Sequence, residues 1–189
     1  LAELHLHQST VWLWNRPIYD DAEGGMLRVE MRALPAGPTP VDMVANAAFL
    51  IGLAEGIRPR INDLLPAIPF NIAEYNFYRA AQHGLDARLV WPGFHQNSFS
   101  ERPLCEVVAE LLPLAADGLA AIGIGTSEAD RYLGVIEQRL AQRQTGATWQ
   151  LERLAQFKQS MPTSSAMHAL LEEFMEHSTA NIPVAEWPL

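Results

Sequence analysis

Three charged side chains alternate with apolar ones in residues 26–34, Met-Leu-Arg-Val-Glu-Met-Arg-Ala-Leu. In an extended strand, Arg28, Glu30 and Arg32 lie on one face, because successive side chains point to opposite sides. Neighbours on that face stand roughly 7 Å apart. The two guanidinium groups can bind phosphate or carboxylate oxygens in bidentate fashion, and Glu30 can either neutralise them or hold a divalent cation. Phosphoryl transfer needs this combination, because its catalysis is mostly positioning and charge stabilisation.

The same alternation is also typical of a strand in an antiparallel sheet with one solvated face. On that alternative, the three charged side chains bind no ligand and only interact with water on the outer face of the sheet. In both cases the opposite face, which carries Leu27, Val29, Met31 and Ala33, is expected to lie in the core.

A second strand is expected just before this one. Residues 9–16 are rich in aromatic and β-branched side chains, which favours an extended strand. The polar loop at 20–25 ends in a Gly-Gly pair, which favours an antiparallel pairing of the two strands. Arg16 and Arg28 can then lie near the same edge of the sheet, with Asn15 beside Arg16.

The rest of the sequence predicts mostly helices. A Thr cap at 39, followed by Pro40 and by an acid three residues after the cap, starts the first helix. We expect a strand at 87–91, a polar loop at 94–100, and helices at 40–53, within 58–69, and at 72–83, 103–122, 127–144, 148–159 and 164–179.

Strands come early and helices dominate later, so the expected fold class is α+β, a small antiparallel sheet followed by a mainly helical C-terminal part. We expect one domain over 1–189, with a strand region at 1–39 and a mostly helical region at 40–189. Two or three strands are too few for a stable open sheet. The sheet is therefore expected to be completed by residues missing at the N-terminus, where the chain starts with Leu1, or by another copy of the chain.

Bulk properties exclude several classes of protein. The net charge is −9 and the pI is about 5.1, so no basic surface is expected for nucleic acid. Cys105 is the single cysteine, so no disulfide forms within the chain and nothing indicates secretion. The apolar runs are interrupted before the roughly 20 residues that a membrane span needs. We therefore expect a cytoplasmic protein with no membrane partner.

Other candidates for chemistry have simpler interpretations. Cys105 shares a helix face with apolar residues and is expected to be a small core residue rather than a nucleophile. His168 and His177 lie nine residues apart, on opposite sides of one straight helix, so they cannot bind one metal ion together. Asp42 and Asn46 lie one helical turn apart, which favours a local hydrogen-bonded pair over a site.

Five blocks of the sequence resemble one known family. They are residues 9–17, 27–39, 42–49, 79–87 and 177–188. Together they look like the C-terminal half of the glutamate-cysteine ligase type 2 family of carboxylate-amine ligases. The similarity covers nearly all of the 189 residues, and the first two blocks are fairly specific.

This resemblance implies an enzyme that uses ATP and magnesium to phosphorylate a carboxylate, typically the γ-carboxylate of glutamate, before an amine attacks the acyl phosphate. It implies a glutamine-synthetase-like sheet and a role in glutathione biosynthesis. In the family's Glu-x-Arg pattern, the acid that matches Glu30 binds metal and the arginine that matches Arg32 contacts the transferring phosphoryl group. Arg16, Arg28 and Asn15 are nominated for substrate or phosphate binding. Asn76 and Arg79 match a family block without an assigned role.

The sequence departs from the family in length. Such ligases are considerably longer, and their other metal-binding acids lie on N-terminal strands that this sequence lacks. We therefore expect the 189-residue chain to be inactive alone and to need the N-terminal half of the ligase or another copy of itself. The alternative is a non-catalytic helical binding module that retains the scaffold. Which carboxylate and amine are joined depends on the shape of the pocket.

Overall fold

A computed structural model describes residues 15–32, 34, 37–93 and 96–189. The structure is α+β, with two small antiparallel sheets of two strands each and a mainly helical C-terminal part, which confirms the predicted fold class. The chain divides into two compact units, Leu1–Gly37 and Pro38–Leu189. This division lies close to the predicted change from strands to helices, and the assignment of one domain to residues 1–189 stays a prediction.

The first unit contains a β-hairpin, made of β1 (Asn15–Asp20) and β2 (Met26–Met31). A short 3-10 turn, Ala22–Gly24, connects the two antiparallel strands, and its last residue Gly24 and the following Gly25 have φ 94° and 93°. Glycine suits these positions because other residues rarely adopt positive φ. The predicted pairing is confirmed, but β1 continues to Asp20, beyond the predicted end at residue 16. Residues 9–14 of that predicted strand lie outside the described residues.

The apolar face of β2 is exposed, so the prediction that it lies in a core is wrong. Leu27 is 72% exposed, Val29 is 62% exposed and Met31 is 37% exposed. A two-stranded hairpin has too little surface of its own to bury one face. Ala33, the fourth member of this face, lies outside the described residues.

The second unit is mostly helical. Its elements are α1 (Pro40–Ile57), α2 (Ile61–Ala67), α3 (Phe70–His83), β3 (Arg88–Gly93), β4 (Gln96–Pro103), α4 (Leu104–Ala121), α5 (Thr126–Gln142), α6 (Gly146–Phe157) and α7 (Thr163–Ala180). Each predicted helix is present, and the ends of most lie within three residues of the prediction. The prediction of a polar loop is wrong for residues 96–100, because they belong to β4, which pairs with β3 in an antiparallel hairpin. Residues 94 and 95 lie outside the described residues.

Glycines bring α1 and α4 into backbone contact. A Cβ atom on Gly118 of α4 would overlap the carbonyl oxygen of Gly52 in α1, and one on Gly56 would overlap that of Leu114. Helix α5 packs on both helices through Leu133 and its neighbours. The core residues of this three-helix layer are Ala45, Ala115, Leu119, Ala129, Leu133, Val135 and Ile136.

The C-terminal segment packs against helix α6 of this unit. Trp149 of α6 and Trp187 are almost fully buried, with ring centroids 4.8 Å apart in an edge-to-face arrangement. The side-chain amide of Gln144 donates to the carbonyl oxygens of Val184 at 2.7 Å and Trp187 at 2.8 Å. Trp187 therefore anchors the C-terminal segment to helix α6.

One described stretch, Pro40–Ala67, is long and apolar enough to cross a membrane by length and composition alone. From the sequence, charges and prolines are expected to interrupt every such run. Only 17% of its most apolar window is buried in the structure. One helix of this kind is weak support for a membrane span, because core helices of soluble proteins pass the same test.

Candidate functional site

Glu30 lies between two of the predicted arginines on one face of the hairpin. Its Oε2 accepts from Arg16 Nε at 2.5 Å and lies 3.1 Å from a terminal nitrogen of Arg32. Arg16 is directly opposite Glu30 in the antiparallel register, and Arg32 follows it by two residues. Cross-strand partners and residues two apart share a face of the sheet, so the pairing of the strands creates this cluster.

The two guanidinium groups keep the carboxylate of Glu30 charged. Hydrogen bonds from Arg16 and then from Arg32 hold the pKa of Glu30 below its ordinary value. The side chains of Arg16 and Arg32 are 22% and 18% exposed, whereas that of Glu30 is 37% exposed. The cluster is therefore half-buried, and two positive charges surround one negative charge at neutral pH.

Asn15 and Arg28 belong to the same hairpin but have other partners. The side-chain oxygen of Asn15 accepts from the backbone N–H of Arg32 at 3.1 Å, which fixes the backbone where β2 ends. Arg28 lies across from Ile18 and pairs with Asp20 at 3.3 Å. The five predicted residues therefore belong to one hairpin, but Arg28 has an ion pair separate from that of Glu30. The sequence interpretation missed Asp20, which it had placed in the loop.

The described residues do not complete a magnesium site around Glu30. No group of three or more His, Cys, Asp or Glu side chains that could hold a metal ion occurs in the described part of the chain. Magnesium needs near-octahedral oxygen ligation, and Oε2 of Glu30 already contacts two guanidinium groups. The described residues around Glu30 therefore do not form a complete cation site.

A buried ion pair in the second unit was also missed. Asp42 is fully buried, and its Oδ1 accepts from Arg139 at 2.6 Å and 3.2 Å. Arg139 also donates to Asn46 Oδ1 at 2.6 Å. The local pair that was expected between Asp42 and Asn46 is replaced by this arginine from α5. Arg139 follows Asp42 by 97 residues, so no local pattern could indicate the contact.

The other Oδ atom of Asp42 joins the start of α1 to the C-terminal segment. It accepts from the hydroxyl of Thr39 at 2.6 Å and from the backbone N–H of Val184 at 3.1 Å. The Thr39 hydroxyl in turn accepts from the N–H of Asp42 and caps α1, as predicted. Both carboxylate oxygens of Asp42 are thus occupied, which indicates a structural role.

Asn76, whose role the sequence left open, connects α3 to the edge of β3. Its side-chain amide donates to the carbonyl oxygen of Val90 at 2.8 Å and accepts from the N–H of Val90 at 2.8 Å. Asn76 therefore satisfies both backbone groups of one strand residue, as a neighbouring strand would. This geometry gives Asn76 a structural role.

The remaining candidates take no part in this cluster. Cys105 is half-buried and its Sγ donates to the carbonyl oxygen of Leu85 at 3.3 Å. His168 contacts the carbonyl oxygen of Ser164 through Nδ1, whereas the ring of His177 lies against Trp187 at 5.0 Å. The two histidines of α7 therefore have separate surroundings.

Comparisons with known proteins identify no relative of this chain. No protein family, curated protein or solved structure matches the chain.

Proposed function

We propose that this chain is the C-terminal portion of an ATP- and magnesium-dependent carboxylate-amine ligase, similar to glutamate-cysteine ligase. The observation that supports the proposal is the carboxylate of Glu30 between the guanidinium groups of Arg16 and Arg32. These residues belong to the sequence blocks that resemble the family. Half-buried arginines on neighbouring strands suit the binding of phosphoryl and carboxylate oxygens.

In the proposed reaction, a carboxylate oxygen of an amino acid attacks the γ-phosphorus of ATP and ADP leaves. An amine then attacks the acyl carbon of the acyl phosphate, and inorganic phosphate leaves with the former carboxylate oxygen. Arg32 would stabilise the negative charge on the transferring phosphoryl group, and Arg16 would help to position it. Asn15 would hold the backbone of Arg32 through its hydrogen bond of 3.1 Å. Arg28 would bind phosphate or substrate farther along the face.

The proposal requires acids that the described residues do not supply. Glu30 would contribute one carboxylate oxygen to magnesium, and further carboxylates would come from the N-terminal half of the ligase or from another copy of the chain. The 189-residue chain would then be inactive alone. We propose a cytoplasmic enzyme with small amino acid substrates and no nucleic-acid or membrane partner.

The proposal is tested with the full-length protein. Glu30→Gln should abolish magnesium-dependent release of ADP in the presence of glutamate and an amine, while far-UV circular dichroism stays unchanged. Arg32→Gln should lower the rate by about 100-fold or more, because removing one stabilising donor from such a site has that effect. Arg58→Gln is the matched control, because its side chain is 75% exposed in a turn of the second unit. Unchanged turnover in Glu30→Gln would refute the assignment.

A second candidate is a non-catalytic binding module of the same scaffold. It is favoured by the two guanidinium groups on Oε2 of Glu30, which leave this oxygen poorly suited to a cation. Calorimetry of the 189-residue chain with ATP, with and without magnesium, separates the candidates. A module would bind without dependence on the metal, and the full-length protein would show no turnover.

A further inference from the structure

An open groove runs between helices α4 and α5 of the three-helix layer. It has a volume of about 630 Å³ and is lined by residues of these two helices. The most buried part of the lining is apolar and includes Leu112, Ala116 and Leu133. Gly134 also lines the groove, and a Cβ atom at this position would meet no atom within 4 Å. The missing side chain of Gly134 therefore leaves space for a ligand above the apolar floor.

The charged side chains that line the groove are both acids. Asp130 and Glu137 are seven residues apart on α5, so they lie on one face of the helix, about 10 Å apart along its axis. Both residues are exposed, and neither makes an ion pair with another described residue. No lysine, arginine or histidine occurs among the described residues that line the groove. The groove therefore carries two negative charges that its own lining does not balance.

A backbone carbonyl in the groove is a further acceptor. Pro113 lies inside α4 and has no N–H to donate to the carbonyl oxygen of Ala109, four residues earlier in the helix. Ala109 and Pro113 both line the groove. The two carboxylates and this carbonyl are all acceptors, and their natural counterpart is a positively charged donor such as an ammonium group.

We propose that the groove binds an organic dication, a linear chain of methylene groups with an ammonium group at each end. The chain covers the apolar floor at Leu133 and Gly134, and the ammonium groups pair with Asp130 and Glu137. A second copy of the protein is a poorer match for this acidic groove, because each copy carries a net charge of −9. The site lies within residues 109–141 and does not depend on the proposed ligase activity.

The test uses proton-nitrogen correlation spectra of the ¹⁵N-labelled 189-residue chain. Octamethylenediamine is titrated at neutral pH and constant ionic strength, and the backbone signals of Leu133 and Gly134 are followed. We expect both signals to shift and to saturate with a midpoint at or below about 10 mM.

Two other amines separate the effect of chain length from that of charge. Putrescine has the same two charges on a shorter chain, and it should bind at least about tenfold more weakly because it covers less apolar surface. Octylamine has the same chain length but one charge, and it should bind about two- to fivefold more weakly because one ion pair is lost.

Variants then test which residues bind the ligand. Gly134→Leu should abolish the response, because the new side chain fills the groove, and the open space around Gly134 lets the helix accept it. Asp130→Asn combined with Glu137→Gln leaves the groove open and should weaken binding at least about threefold through the loss of both ion pairs. Glu128→Gln is the matched control and should bind like the wild type, because it removes an exposed carboxylate of α5 that does not line the groove.

Equal binding in the wild type and in either groove variant would overturn the proposal, as would equal binding of the three amines. The oligomeric state of the chain is measured in parallel by analytical ultracentrifugation. A dimer that Gly134→Leu dissociates would also overturn the proposal, because a second copy of the chain would then occupy the groove.

Discussion

Replacing Asp42 by asparagine tests whether its buried ion pair holds the helical unit together. The side chain of Asp42 is 0% exposed and that of Arg139 is 13% exposed. Asparagine has nearly the same shape as aspartate, so the change removes the negative charge without leaving a cavity. Arg139 then keeps a positive charge in a mostly buried position with no carboxylate to balance it.

The expected loss of stability follows from this arrangement. Removing one partner of a buried ion pair costs about 3–5 kcal/mol, because the remaining charge is uncompensated. The hydrogen bonds to Thr39 and to Val184 are also disturbed, so a value toward the upper end is expected. Since domains of this size unfold with only about 5–15 kcal/mol, Asp42→Asn should remove a large part of the total.

The measurement is urea unfolding followed by far-UV circular dichroism. With a urea dependence of about 1–3 kcal/mol per molar, a loss of about 3–5 kcal/mol should lower the midpoint by about 1–5 M. Asp86→Asn is the matched control, because Asp86 also pairs with an arginine but its side chain is 82% exposed. That control should change stability by less than about 1 kcal/mol. A decrease below about 1 kcal/mol in the free energy of unfolding of Asp42→Asn would refute the structural role assigned to Asp42.

Two further predictions concern helix contact and acid stability. Gly118→Ala should destabilise the helical unit strongly in urea unfolding, because the new Cβ would overlap the Gly52 carbonyl. In contrast, Gly134→Ala has open space around it and should stabilise α5 by up to about 1 kcal/mol, and equal effects of the two changes would contradict the described contact. Because the folded-state pKa of Glu30 is lowered, its contribution to hairpin stability is complete above about pH 4.3 and is lost as the pH falls through the folded value. NMR titration of its side-chain carboxyl carbon should give a midpoint below the ordinary glutamate pKa of about 4.3, and a midpoint at or above that value would be inconsistent with the two arginine contacts.

Local patterns in the sequence were sufficient for the positions of most elements. The alternation in β2, the Gly-Gly pair and the Thr39 cap are each set by residues close in the chain, and each is found where it was predicted. Periodicity also predicted that Arg28, Glu30 and Arg32 share a face of β2, whereas the position of Arg16 directly opposite Glu30 depends on the register of the two strands. It could not tell that Leu27 is exposed, because burial depends on what covers a face and not on its pattern.

Contacts between distant residues were not predictable in the same way. Arg139 binds Asp42 across 97 residues, and Gln144 reaches the C-terminal segment across 40. Strand β4 was missed for a related reason, because its polar sequence QNSFSERP is held extended by pairing with β3. The groove between α4 and α5 is visible only once both helices are placed.

The central proposal is an acyl-phosphate reaction, and oxygen transfer tests it most directly. The full-length protein is incubated with ATP, magnesium, an amine and glutamate whose γ-carboxylate carries ¹⁸O, and the inorganic phosphate is analysed by mass spectrometry. The proposal predicts that each phosphate released contains one oxygen from the carboxylate, and that Glu30→Gln yields none of this labelled product. Phosphate that is released without the label would contradict it.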